Sequence, residues 1–133
     1  MSFKLHERLA ADTIFVTDWE LSRVLLMNDA RYPWLILVPR RDGLSELHDL
    51  TDSDAQTLQA EMHRASANLK TLTGAAKINI GALGNLVPQL HIHVVAREAG
   101  DAAWPGPVWG HGTGEPYSAQ AREAQLAALR KSL

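Results

Sequence analysis

Three polar side chains fall on alternate positions of one apolar stretch. They are Gln89, His91 and His93, within NLVPQLHIHVVAR at residues 85–97. In an extended strand, residues i, i+2 and i+4 share a face. Gln89, His91, His93 and Val95 therefore line one side, while Leu90, Ile92 and Val94 line the other and must pack on a core. Paired imidazoles on such a face have three readings. They can be solvated surface. They can be two ligands of a metal ion, although a catalytic zinc takes a third protein ligand, and neither the other histidines (His6, His48, His63, His111) nor any acidic residue offers a matching motif. Or one imidazole is a nucleophile and the other a donor, which suits a ring that is largely neutral near pH 7 and has two distinct nitrogens.

The elements that must position this strand are legible as patterns. Residues 4–11 suit a short helix. TIFVT (13–17) and LSRVLLMN (21–28) are rich in β-branched and apolar residues and predict strands. DARYP (29–33) is a turn. WLILVPR (34–40) is almost continuously apolar, which predicts a central strand buried on both faces. Residues 41–50 read as a connector with about one helical turn. Ala55, Leu58, Met62, Ala65, Leu69 and Leu72 recur at spacings of three and four and predict a helix over 52–73. Thr51 suits its N-cap, Asp54 resembles the acidic member of a capping box, and Gly74 suits its end. His63 falls off the apolar stripe and reads as a solvated residue. Residues 75–81 and 86–96 predict two further strands, with LGN (83–85) as the turn between them. The Gly- and Pro-rich segment 98–117, with Trp104 and Trp109, has no periodicity and reads as a long loop. A last helix over 119–131 follows the cap Ser118. Strands, helix, strands, helix is the order of an α+β domain with a mostly antiparallel sheet and helices on one face.

The bulk numbers narrow the function. The 133 residues fit one domain, 1–133, and carry a net charge of -2. That charge offers no broad basic field for nucleic acid. The chain has no cysteine, so it has neither disulfides nor a thiol nucleophile, as expected in a reducing compartment. No signal peptide and no run long enough to span a bilayer are visible. A cytoplasmic protein with no membrane partner is the expectation by elimination.

The motif QLHIHVV (89–95) resembles the signature of the histidine-triad family of nucleotide hydrolases and transferases, in which three histidines alternate with apolar residues. LLMNDARYPWLILVPRR is similar to the family's paired strands, whose turn approaches the nucleotide ribose. LGN is similar to its Gly-Gln phosphate loop, with Asn85 in place of Gln. The resemblance runs from Leu21 to Arg97. Two positions depart from the pattern: Gln89 stands at the first histidine of the triad, and Trp34 where members often carry another histidine.

The resemblance implies a five-stranded, mostly antiparallel sheet with one long helix and a C-terminal helix. It implies a nucleotide as small-molecule partner and a homodimer, and an activity on a nucleoside phosphoramidate or a dinucleoside polyphosphate. His91 would be the nucleophile at the α-phosphorus, its tautomer fixed by the backbone carbonyl of residue 89, with His93 as donor and Gln89 in a supporting role. Because this carbonyl is backbone, the change to Gln89 leaves it in place. Backbone N–H groups at Gly84 and Asn85 would cradle phosphate oxygens without an obligatory metal, magnesium arriving only with a polyphosphate substrate. Asn28 reads as a ribose contact or a turn residue. Asn79 reads as a nucleotide contact or strand interior, and Arg97 as a phosphate contact or a solvated strand end. Trp104 and Trp109 read as cleft lining or satellite core, and His111 as loop. The rival from another class is a nucleotide-binding module without turnover.

Overall fold

The apolar run before Pro39 becomes the middle strand of a five-stranded antiparallel sheet ordered β1-β2-β3-β5-β4. The computed structural model describes residues 3–133. Its strands are β1 (Thr13–Asp18), β2 (Ser22–Met27), β3 (Trp34–Pro39), β4 (Lys77–Gly81) and β5 (Ile92–Arg97). Every residue of β3 is buried, which is why its sequence shows no polar alternation: both faces of the sheet are covered.

The helices are α1 (Glu7–Asp12), α2 (Asp52–Thr73) and α3 (Ala119–Ser132). The long α2 spans the expected residues, with the Thr51 hydroxyl accepting from the Asp54 N–H and Gly74 in the left-handed region at φ 69°. The Asp54 carboxylate does not return to the cap; it pairs with Arg41 at 2.9 Å. Leu58, Ala65 and Leu69 of α2 and Leu126 and Leu129 of α3 pack with Ile14, Val24, Leu35, Leu37, Ile92 and Val94 as the main core.

The opposite face corrects the expectation that the helices lie on one side. Leu9 of α1 belongs to a second core with Leu25, Trp34, Ile36, Val38 and Val95, closed by Ala103 and Val108 of the long loop. The short α1 and the loop thus form a second layer, and the histidines lie between it and the sheet. The strand expected over 86–96 is also shorter: β5 begins only at Ile92, so Gln89 and His91 sit on irregular backbone. The 3-10 turn Leu47–Asp49 is the helical turn of the connector.

Candidate active site

His91 and His93 are each 6% exposed, and their rings meet edge to face with centroids 4.9 Å apart. Nδ1 of His91 lies 2.7 Å from the carbonyl oxygen of Gln89. A carbonyl only accepts, so this nitrogen carries a proton, and in the neutral ring Nε2 is the bare nitrogen. Nδ1 of His93 accepts instead, from the indole N–H of Trp34 at 3.0 Å. The two side chains reach each other because Trp34 pairs with Val95 and Ile36 with His93 in the β3–β5 register, which makes Trp34 and His93 diagonal neighbours on one face. Burial first, and the charge of neighbouring His91 second, push the His93 imidazole down to about 3.

The two histidines line a cavity of about 460 Å³ together with Leu9, Asp12, Met27, Trp34, Val87 and Trp109. Arg8 stands at the same wall and makes an exposed contact with Asp12 at 3.7 Å. Trp109 is set edge-on against His93 with centroids 5.5 Å apart. It fits because Gly81, opposite His93 in the β4–β5 register, has no side chain: a Cβ there would come within 2.9 Å of the indole ring. His91 also lines a second cavity of about 220 Å³ with Ser45, Glu46 and His48.

The turn before β5 contributes backbone. Gly84 adopts φ 72°, a conformation that favours glycine, and it lines both cavities. Asn85 lines the larger one. Among the described residues, neither of these two backbone N–H groups has a hydrogen-bond partner.

The remaining expected site residues divide. Both polar atoms of the Gln89 amide bond to the N-terminal segment: Oε1 accepts from His6 N–H at 2.8 Å and Nε2 donates to the Lys4 carbonyl at 2.9 Å. Gln89 therefore meets His91 through its backbone while its side chain fastens the segment that leads into α1. Asn28 lines a neighbouring cavity with Asp12, Met27 and Asp29, and its Oδ1 accepts from Tyr117 N–H at 2.9 Å. Asn79 does not line the histidine cavity; its Oδ1 accepts from Arg97 at 2.8 Å. Trp109 reaches the cavity from the same chain, whereas Trp104 packs beside the Arg97 guanidinium at 5.6 Å. Arg97 is neither a phosphate contact nor a solvated strand end. It is 1% exposed and pairs with Asp101 at 2.8 Å while donating to the Gly106 carbonyl.

Sequence reasoning missed Arg8, Leu9, Asp12 and Met27 as cavity lining. A signal that could have found this wall is the spacing of Leu9 from Leu5, both of which pack in the second core. Among the described residues, no three His, Cys, Asp or Glu side chains converge as a metal site would require, and no helix is long and apolar enough to cross a membrane.

A carbonyl-oriented imidazole, a second imidazole beside it and a glycine turn with free N–H groups thus stand together at one cavity. Residues 8–100 match the family described as HIT domain, and the chain belongs to that family. It is similar to a histidine triad protein of Bradyrhizobium japonicum, with 48% identity, TM-score 0.97 and coverage of 99% of this chain and 98% of the other. It is similar also to a histidine triad protein of Marinobacter aquaeolei VT8, with 46% identity, TM-score 0.98 and coverage of 100% and 97%. A curated relative from Mycobacterium tuberculosis, named AP-4-A phosphorylase, is 38% identical across 53% of this chain and 41% of its own length. The chain thus spans about two-fifths of that relative.

Proposed function

We propose that this protein is a nucleotidyl hydrolase acting at the α-phosphate of a nucleoside phosphoramidate or dinucleoside polyphosphate through a covalent intermediate on His91. The observation that carries this reading is the 2.7 Å bond from His91 Nδ1–H to the Gln89 carbonyl, which leaves Nε2 bare beside a cavity large enough for a nucleoside. The Nε2 lone pair forms a bond to phosphorus as the bond to the leaving group breaks. The Gln89 carbonyl stabilises the positive charge that the phosphorylated ring carries. Water then attacks phosphorus, the electron pair returns to Nε2, the water proton goes to solvent and a nucleoside monophosphate is released.

Gly84 and Asn85 offer N–H groups to the phosphate oxygens, and His93 donates to the same group. Asn28 stands one cavity away, beside Asp12 and Met27, where a ribose extending from the histidines would meet it. No metal is required of the protein, and magnesium would enter with a polyphosphate. The name of the mycobacterial relative and the family match support nucleotide substrates. Family resemblance and the half-exposed Ile80 on the edge strand β4 support a homodimer.

The test is intact-protein mass spectrometry after a rapid acid-free quench, with an adenosine phosphoramidate and a diadenosine polyphosphate. Wild type should show a nucleotidyl adduct and release AMP, and His91→Ala should show neither. Nucleotide binding by calorimetry without adduct or AMP would make the protein a binding module.

A further inference from the structure

The indole of Trp34 has one polar atom, and that atom can only donate. Its partner, His93 Nδ1, must therefore hold a lone pair for as long as the 3.0 Å bond persists. The bond is buried: Trp34 and His93 are each 6% exposed. Trp34 is itself held in place by Tyr32, edge-on at a centroid distance of 6.2 Å, and His93 is closed from the other side by Trp109. With Nδ1 occupied, Nε2 is the only ring nitrogen left to carry a proton. Adding a second proton to the ring would set two N–H groups against each other at Nδ1. The charged or titratable groups that line the cavity with His93 are His91, Arg8 and Asp12. Of these His91 is the one in ring contact, and a positive charge on it opposes one on His93.

We propose that Trp34 is a positioning residue that fixes His93 as a donor through Nε2 alone, so that His93 gives the departing group a hydrogen bond but never a proton. The inference rests on the covalent reading above and deepens it. As His91 Nε2 bonds to phosphorus, the electron pair of the breaking bond must stay on the leaving atom as an anion. Leaving groups that are stable anions, such as phosphate chains and acidic phenols, meet that condition unaided. An amine meets it poorly, because its nitrogen needs a proton that His93 does not supply and that must come from water.

The test has two arms. The first follows the His93 ring nitrogens by ¹⁵N NMR in the substrate-free protein between about pH 5 and pH 8, the range around an ordinary histidine's titration. Wild type is expected to show a single Nε2–H form throughout. Trp34→Phe, which keeps a ring and loses the donor, should lose that single form and show exchange of tautomers or a titration. Trp34→His, whose ring can donate again, should restore it. The His91 resonances, set by the Gln89 carbonyl, report that each variant is folded. A wild-type His93 protonated at Nδ1, or a Trp34→Phe protein that keeps the single Nε2–H form, overturns the proposal.

The second arm measures turnover of adenosine 5′-phosphate aryl esters that differ in phenol acidity, beside an amine-leaving phosphoramidate. Wild type should lose rate steeply as the phenol becomes less acidic and be slowest with the amine, and the slope should flatten in Trp34→Phe. An amine expelled as fast as an acidic phenol overturns the proposal. Absence of turnover with every substrate, together with a fixed Nε2–H ring, overturns the covalent reading and the leaving-group consequence while upholding the hold of Trp34 on His93.

Discussion

His91 and His93 are edge-to-face neighbours that are polarised in opposite senses, one donating from Nδ1 to a backbone carbonyl and the other accepting at Nδ1 from an indole. Two identical side chains two residues apart are thereby made chemically unlike. Their difference is imposed by partners and not by the rings themselves.

The held-neutral state of His93 has a consequence for stability. Its native value is lowered to about 3 from an ordinary 6.5, so between those values the unfolded chain binds more protons than the folded one. The stabilisation is fully present above about pH 6.5 and is lost as pH falls toward 3. About 2 kcal/mol should disappear between pH 7 and pH 5. Urea unfolding at the two pH values checks this, with His93→Gln expected to lose most of the difference. Asp101, held at about 2 by Arg97 first, titrates below this window and leaves the comparison clean.

Gln89→Ala separates the two halves of that residue. Loss of its side-chain bonds to His6 N–H and the Lys4 carbonyl should cost about 1–3 kcal/mol and raise amide exchange across residues 4–12. The carbonyl that orients His91 is unchanged, so formation of the covalent adduct should persist. Hydrogen exchange and the adduct assay on the same preparation distinguish these effects, and loss of the adduct would place the amide in the chemistry after all.

Asp101→Asn leaves the Arg97 guanidinium buried without its counter-charge while hardly changing volume. A loss of about 3 kcal/mol is expected, read as a lowered thermal midpoint. Limited proteolysis should show cleavage within 98–117 appearing first, because the same arginine ties Gly106 and Asn79 to the strand.

Gly81→Ala puts a methyl group where the Trp109 ring lies. The ring must move, at about 1–3 kcal/mol, and contact with His93 is lost. Nucleotide affinity should fall and tryptophan fluorescence should change, with the β4–β5 pairing retained. Unchanged fluorescence would show that the loop absorbs the methyl group elsewhere.

What the sequence disclosed follows the range over which each cause acts. β3 was legible because burial on both faces leaves a continuous apolar run, and α2 because its stripe repeats over 22 residues. The contact of His91 with the carbonyl of residue 89 was implied by the family resemblance, and the change to Gln89 leaves it in place because that carbonyl is backbone. The side chain of Gln89 was not, since its partners are 83 and 85 residues distant. Arg97 was misread because a charged residue is expected in water unless paired, and its pair belongs to a loop with no pattern of its own. The Trp34–His93 bond needed the register of β3 against β5, which no local signal sets. The end of β5 at Ile92 was overshot because apolar alternation continues through Leu90, which is buried in the main core without being strand.

The buried pair of Arg97 and Asp101 gives the cavity two walls of unequal stiffness. On the side of Trp109, displacement means uncovering an arginine that is 1% exposed and pulling Ala103 and Val108 out of the second core. On the side of α1, displacement means releasing two hydrogen bonds to Gln89 and drawing a single buried residue, Leu9, out of the second core. If the cavity takes the nucleotide proposed above, ligands of different bulk are expected to be accommodated by yielding of α1, with the tryptophan side as the fixed gauge of their size.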